Sequence, residues 1–402
     1  MRVLAVSSYG GLGGAELAGA TFLRHRPGSV EAGALLVSDG PLRGIVAGLG
    51  LPVWYGTGFQ GRPTARKLAG FTRALQPLLR QWRPDVVWAT GQKATLLCLP
   101  ACRTLGVPLV WHKVDFSWDR VLAQPLALGV NGVIGVSHAV LEAVGPLRRR
   151  RVLGTVGPPI ALDPGLAAAP GEGRPTIGTL GRLVPYKGHH HIVRAAALLR
   201  GEFPDLRVVL AGAPAAEYPD YPETLTRLAR EMGLDGDVDM PGHVAPEDVL
   251  PRLTVFVNAT YRDEEGFGLE GLSGAMLEAG WVGLPVVAVR GGGSGEGVRQ
   301  GETGTLVDSA DPALLAGAVA PYLRDRELAR RTGAAARSFV HSAFAPDRGA
   351  ERLFAMLSEV PSRKRWFSGC RSVRRARCAD LPPPVGRATM VRPCQSKRGR
   401  AT

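Results

Sequence analysis

Cysteine is scarce in this chain, with five in 402 residues. Three of them, Cys370, Cys378 and Cys394, fall in the last stretch at spacings that match no common zinc or redox pattern. That excludes a disulfide framework and fits a reducing compartment. No window supplies about 20 uninterrupted apolar residues, so no membrane span is expected. The opening MRVLAVSSYGG holds one Arg and an apolar run that breaks at glycines, too short for a secretory leader. A cytoplasmic protein is expected, with peripheral contact at the inner face of a membrane left open. Acid is almost missing beyond Pro361: residues 362–402 carry 12 Lys or Arg against one Asp. The tail thus holds +11 of the formal +14 and leaves +3 for residues 1–361. The body is nearly neutral, so a nucleic-acid reading rests on the tail alone. Rich in Arg, Pro, Ser and Gly, the tail cannot offset its ordering entropy and is expected to be disordered. Its alternative role is an anchor for anionic lipid or nucleic acid.

What is present is ample apolar material, 45% of the chain, enough for two cores of ordinary size. Short apolar runs alternate with helical stretches, the pattern of βαβ units on a parallel sheet. The first series runs through RVLAVSS, GALLVS, PVWY, DVVWAT, PLVWH, GVIGVS and RVLGTV, a domain expected over 1–157. GPPIALDPGLAAAPGEGRP follows, dense in Pro and Gly, and is read as a linker at 158–174. A second series, TIGTLG, LRVVLAG, VDMPG, TVFVNA, PVVAV and GTLVD, predicts another domain over 175–340, with a closing helix at 341–361.

Parallel α/β domains bind ligands beyond the carboxyl ends of their strands, which directs attention to the loops there. SSYGGLGGAE, residues 7–16, places Gly13 and Gly14 before a helix, where backbone N–H groups can approach an anion or hydroxyl. It misses G-x-G-x-x-G because the sixth position from Gly11 is Glu16, so dinucleotide binding is weak even with Asp39 after the second strand. A tight turn needing glycine is the plainer reading. In GTLGRLVPYKGHHH, Arg182 and Lys187 lie five apart across a Pro-containing turn and suit one anionic group such as a diphosphate. Two solvated cations is the alternative. His189, His190 and His191 are consecutive, so they point in different directions and make a poor chelate. In EEGFGLEGLSGAMLEAGW, Glu270 and Glu278 stand eight apart, roughly 12 Å along a helix and too far to share a proton. A glycine-rich loop bearing Glu270, followed by a helix bearing Glu278, puts them at two levels of one site. In VRGGGSGEG, Gly292, Gly293 and Glu296 follow a strand, with a flexible turn as the alternative. No Asp-rich metal motif is visible, and no metal site is expected.

These stretches resemble the retaining, nucleotide-sugar-dependent glycosyltransferases of family 4, of GT-B architecture. LGRLVPYKG, LRVVLAG, DVDMPGHVAPEDVLPRLTVFVNAT, EGLSGAMLEAGWVGLPVVA, GGGSGEGVRQGETGTLV and the helix after DPALLAGAVAPYL occur in order over 176–325. YGGLGGAE, RPDVVWATG and GVNGVIGVSHAVLEAV agree more loosely in the first half. The resemblance implies two Rossmann-like domains facing a cleft, the first for acceptor and the second for donor. It maps the family's E-x7-E motif onto Glu270, near the donor sugar, and Glu278, on the ribose hydroxyls. It assigns the diphosphate to Arg182 and Lys187, helped by backbone N–H groups around Leu272, Ser273 and Gly274. It sets Gly13 and Gly14 toward the cleft and His112 near the transferred sugar, although a His ending an apolar strand is often structural. Ser273 stands where the motif commonly has glycine. Glu265-Gly-Phe-Gly offers a rival frame, but its eighth residue is Ser273 rather than an acid.

The expected activity is transfer of a sugar, most simply a hexose, from a UDP- or GDP-sugar to a hydroxyl of a glycan, lipid or small molecule. The anomeric configuration is expected to be retained, the two cations to take the place of a metal ion, and no cofactor to be needed beyond the donor. An inactive sugar-nucleotide-binding scaffold, or an epimerase of the same fold, is the alternative.

Overall fold

The computed structural model describes residues 1–56, 59, 64–145, 151–170, 172–262 and 268–361. Among the described residues two compact units emerge, one of Met1–Val156 together with residues 349–361, the other of Gly157–Arg348.

The first unit carries seven parallel strands: β1 Arg2–Ser7, β2 Glu31–Leu36, β3 Val53–Tyr55, β4 Val86–Thr90, β5 Leu109–Lys113, β6 Gly132–Gly135 and β7 Val152–Thr155. Their order is β3-β2-β1-β4-β5-β6-β7. These runs are rich in Val, Leu and Trp without polar alternation, as a sheet covered on both faces requires. Its helices are α1 Gly14–Arg24, α2 Leu42–Ala47, α3 Ala65–Trp82, α4 Gly91–Leu105, α5 Gln124–Gly129 and α6 His138–Glu142, with one π-helical turn at Asp119–Ala123. Helix α3 buries Phe71, Leu75, Leu78 and Leu79 on one stripe, about 1.5–3 kcal/mol each. Thr64 caps its start by accepting from the Lys67 N–H at 3.3 Å.

The second unit carries six parallel strands: β8 Thr176–Leu180, β9 Arg207–Ala211, β10 Val238–Asp239, β11 Val255–Asn258, β12 Val286–Val289 and β13 Gly304–Val307. Their order is β10-β9-β8-β11-β12-β13. The helices are α7 His189–Leu199, α8 Tyr221–Glu231, α9 Pro246–Val249, α10 Gly274–Trp281, α11 Ser294–Gly297, α12 Pro312–Arg324 and α13 Arg326–Ala343. The last described helix, α14 Pro346–Glu359, buries Ala350, Leu353, Phe354, Met356 and Leu357 in the core of the first unit.

Two expectations shift. The segment read as a linker lies against the second unit: Ile160 and Leu162 join its core, and Ala168 N–H donates to the Val282 carbonyl at 2.7 Å. Trp281 Nε1 also donates to the Asp163 carbonyl at 3.3 Å. Pro and Gly prevent helix or strand here, but they leave main-chain groups that Trp281 and Arg337 bond directly. The closing helix begins at Pro346, because α13 continues to Ala343 before Phe344 breaks it.

In both sheets the strand order reverses beside the first strand, between β1 and β4 and again between β8 and β11. Beyond the carboxyl ends of such a pair the flanking connections leave in opposite directions and open a crevice.

Candidate functional site

In the second unit a pocket is lined by Asn258 and Thr260 from the end of β11, Glu270 and Ser273 from the approach to α10, and Gly291 and Ser294 from the loop after β12. Lys187, from the turn after β8, reaches Glu270 at its edge. Lys187 Nζ forms an ion pair with Glu270 Oε1, and Thr260 Oγ1 donates to Glu270 Oε2 at 3.1 Å. Asn258 Oδ1 accepts from the Thr260 N–H at 3.2 Å and fixes that corner. Burial pushes the Glu270 carboxyl up, but the Lys187 charge and the hydrogen bonds from Lys187, Thr260 and Asn258 outweigh it and hold the group below its ordinary range. Glu270 is therefore ionised at neutral pH.

Two glycines make the geometry possible. Gly188 has φ +73°, and a Cβ there would stand 2.2 Å from the Ala259 carbonyl oxygen. The turn that carries Lys187 thus closes directly onto the end of β11. A Cβ at Gly293 would stand 1.9 Å from the Gly271 oxygen, while its N–H donates to the Glu270 carbonyl at 3.1 Å. This holds the loop after β12 against the loop before α10.

Helix α10 starts with Ser273 as its N-cap, and the Ser273 hydroxyl makes no capping bond. The main-chain N–H groups of Leu272, Ser273 and Gly274 donate to no acceptor among the described residues. Free N–H groups at the positive end of a helix make an anion site. One turn in, the carboxylate of the half-buried Glu278 has no hydrogen-bond partner among the described residues. Burial, helped by the charge of Glu247, pushes its carboxyl from 4.5 up to about 7. Such a group gains from any ligand that brings hydroxyl donors.

The structure pairs Lys187 with Glu270, while Leu272, Ser273 and Gly274 lead from Glu270 into the start of α10 and Glu278 lies one turn further on. Arg182 is exposed, and its guanidinium donates to the Tyr186 hydroxyl at 3.0 Å, so the two cations hold different partners. Glu264 and Glu265 lie outside the described residues, as does the tail from Ser362. The three histidines do not all point apart as expected: His189 is 1% exposed, but the rings of His190 and His191 lie 4.1 Å from each other, and His190 Nδ1 meets the Tyr221 hydroxyl at 2.8 Å. Asn258, Thr260 and Ser294 escaped the motif reading. The strand-end rule reaches Asn258 and Thr260, since both follow the apolar run TVFV.

In the first unit Gly13 caps α1 and Gly14 opens it, exposed. The Glu16 carboxylate folds back onto Gly13, and Ser7 Oγ donates to its Oε1 at 3.5 Å. Burial raises the Glu16 carboxyl above its ordinary range. Glu16, Ser7 and Thr90 are the polar lining of an otherwise apolar pocket at the β1–β4 switch, walled by Leu36, Val46 and Trp88. His112 is 4% exposed, with its ring 5.9 Å from Trp88 and 6.3 Å from Phe22. Burial pushes its pKa down to about 4, so it is neutral at physiological pH. Asp39, the weak dinucleotide signal, is paired with Arg43 at 3.2 Å.

This geometry agrees with sequence comparison. A family model described as glycosyl transferases group 1 matches residues 167–339. Over 304 residues the chain is 30% identical to the Mycobacterium tuberculosis GDP-mannose-dependent alpha-(1-6)-phosphatidylinositol monomannoside mannosyltransferase, covering 69% of this chain and 77% of that protein. The chain belongs to the group 1 glycosyl transferases. Among other relatives of this glycosyl transferase is the D-inositol 3-phosphate glycosyltransferase of Corynebacterium efficiens, 37% identical over 160 residues, 39% of this chain and 36% of that one. Of solved structures, Anabaena Alr3699/HepE in complex with UDP and glucose superposes with a TM-score of 0.74 at 20% identity, covering 89% of this chain and 99% of that one. Sucrose-phosphate synthase from Thermosynechococcus elongatus gives 0.68 at 18% identity, covering 89% and 98%. The fold is GT-B, and the chain is a glycosyl transferase.

Proposed function

We propose that this enzyme transfers a hexose from a nucleoside diphosphate sugar to a hydroxyl of a lipid-linked acceptor, with retention and without a metal ion, at the inner face of a membrane. The observation that carries the reading is the cluster at the β8–β11 switch: Lys187 paired with Glu270, unpaired N–H groups at the start of α10, and the unpartnered Glu278 beyond them. The α10 N–H groups and Lys187, with Arg182 beside them, receive the diphosphate. Glu278 accepts from the ribose hydroxyls, and Glu270 orients Lys187 and meets the donor sugar. As the glycosidic bond breaks, negative charge grows on the leaving phosphate, where a fixed cation and helix N–H groups act most strongly. The phosphate oxygen then takes the acceptor proton, so both events occur on one face of the sugar.

A GDP-hexose is the favoured donor. The mycobacterial relative is named as GDP-mannose-dependent, while the solved neighbour holds UDP. The names of that relative and of the Rhizobium leguminosarum lipopolysaccharide core mannosyltransferase support a glycolipid acceptor. The acceptor half is the first unit, where Gly13, Gly14 and the pocket around Glu16 offer the apolar-walled carboxylate that an acceptor hydroxyl would use. His112 supports that wall as a neutral ring.

The test is a product assay with GDP-mannose, GDP-glucose and UDP-glucose, a glycolipid extract as acceptor, and EDTA throughout. Product with the donor's anomeric configuration, formed at an undiminished rate in EDTA, is expected. An inverted product or loss of activity in EDTA removes the mechanism. Free sugar nucleotide with altered stereochemistry and no glycoside identifies an epimerase, and no turnover identifies a scaffold.

A further inference from the structure

Helices α3, α4 and α5 share one core on a single side of the first sheet, and their outer surface has an uneven chemistry. None of the three carries an Asp or Glu. On α3, Arg66, Arg73 and Arg80 are exposed at seven-residue spacing, which aligns them in one ridge. Arg103 of α4 and Arg120 of the π-helical turn are exposed as well. Arg66, Arg73, Arg80, Arg103 and Arg120 form no ion pair among the described residues, whereas residues 1–361 as a whole are close to neutral. The five arginines thus give this layer more positive charge than the net +3 of residues 1–361.

Across α4, which packs against both α3 and α5, stands an apolar tip. Trp118 is 58% exposed, Val121 67% and Leu128 50%, and with Pro125 they recur at helical spacing along the π-turn and α5. Trp118 adopts φ +59°, a left-handed conformation that a bulky residue takes at a cost of about 1–2 kcal/mol. The turn is held there by a buried network. Lys113, with no exposed side chain, donates to Asp119 Oδ1 at 2.6 Å, and Gln92 Nε2 donates to the same oxygen at 2.8 Å. At the other end Arg103 Nη2 and Arg151 Nη1 donate to the Leu128 carbonyl at 3.2 and 2.9 Å, placing two guanidiniums next to an exposed leucine.

We infer that this face docks the enzyme on an anionic lipid bilayer, the arginines on headgroup phosphates and Trp118, Val121 and Leu128 in the outermost acyl region. The charge selects an anionic surface, and the three large apolar side chains select one with an apolar layer beneath the charge, which a nucleic acid lacks. Indole favours the headgroup boundary because its ring is apolar and its N–H polar. The inference rests on the lipid-linked acceptor reading for its purpose, and its test does not depend on transfer.

The test takes the full chain with vesicles of phosphatidylcholine alone or mixed with phosphatidylglycerol. Binding is read by co-flotation and by quenching of tryptophan emission with brominated acyl chains. Nucleotide-sugar stabilisation is measured alongside. Arg66→Gln/Arg73→Gln/Arg80→Gln is expected to lower partition onto the mixed vesicles roughly 100-fold. Quenching is expected in the parent chain and is largely lost in Trp118→Phe, with stabilisation by the nucleotide sugar unchanged in both variants. Partition of the triple variant equal to the parent, or quenching unaltered in Trp118→Phe, overturns the inference and moves the contact to the tail or elsewhere. Tighter binding of the same arginines to duplex RNA than to vesicles overturns it in favour of a nucleic-acid surface. Vesicle binding that persists without any nucleotide-sugar stabilisation sinks the transferase reading and leaves this one standing.

Discussion

At the scale of single residues, Glu278 gives the most specific prediction. Its carboxyl titrates near pH 7 because burial and Glu247 disfavour the charged form. An acid whose folded pKa is raised stabilises the protein only while protonated, so that contribution fades as pH rises from about 4.5 through 7. Glu278→Gln is expected to raise the melting temperature by a few degrees at pH 8 and to change it little at pH 5. A ribose that donates hydroxyls to the ionised form reverses the preference, so nucleotide-sugar affinity rises with pH through 7 in the parent and flattens in Glu278→Gln. Titrations at pH 6 and 8 decide it, and an unchanged pH profile in the variant removes Glu278 from the ribose. On the proposed function, Lys187→Met removes a cation whose attraction to the leaving phosphate strengthens in the transition state. A fall of about 100–1000-fold in kcat, with a smaller change in KM, is expected from steady-state kinetics. Neither prediction was fully legible in the chain. The eight-residue spacing singled out both glutamates, but the pairing of Lys187 with Glu270 depends on a contact across 83 positions that no local pattern encodes.

At the scale of elements, the strands were the most readable part, because runs such as RVVLA and VVWAT are apolar on both faces and end at turn residues. Less readable was the stretch after β5. HKVDFSWDR reads as a polar loop, yet Lys113 is wholly buried and ties the π-helical turn to the sheet through Asp119. Burial lowers the pKa of the lysine and raises that of the aspartate, while each partner's charge works against that shift. Lys113→Met leaves an uncompensated carboxylate and is expected to cost about 3–5 kcal/mol in chemical denaturation. The double change Lys113→Met/Asp119→Leu is expected to recover part of the loss. The turn at Gly188 is tighter still. Gly188→Ala combines φ +73° with a clash at the Ala259 carbonyl, and donor binding is expected to weaken along with a stability loss of about 1–3 kcal/mol. A variant that binds donor and unfolds like the parent would show that the Lys187 turn does not depend on this close approach. Composition also misled at 158–174, where Pro and Gly rule out regular structure but not packing: Ile160 and Leu162 are buried all the same.

For the whole molecule, the two sheets use the same device, a reversal of strand order that opens a crevice at the carboxyl ends. The second unit fills its crevice with charge, and the first lines it with apolar walls around one carboxylate. The basic and apolar face of α3–α5 adds a third surface, which composition hid because the tail dominates the net charge. The proposed function makes the second unit the donor site, and that claim is tested most directly by calorimetric titration of GDP- and UDP-sugars into the parent chain and into Glu278→Ala. One nucleotide class binding the parent, with affinity reduced at least about tenfold in the variant, is the predicted result, since a lost hydrogen bond to a charged group is worth about 1.5–3 kcal/mol. Equal affinity in both proteins, or no binding by the folded parent, would contradict the placement of the nucleotide at the start of α10.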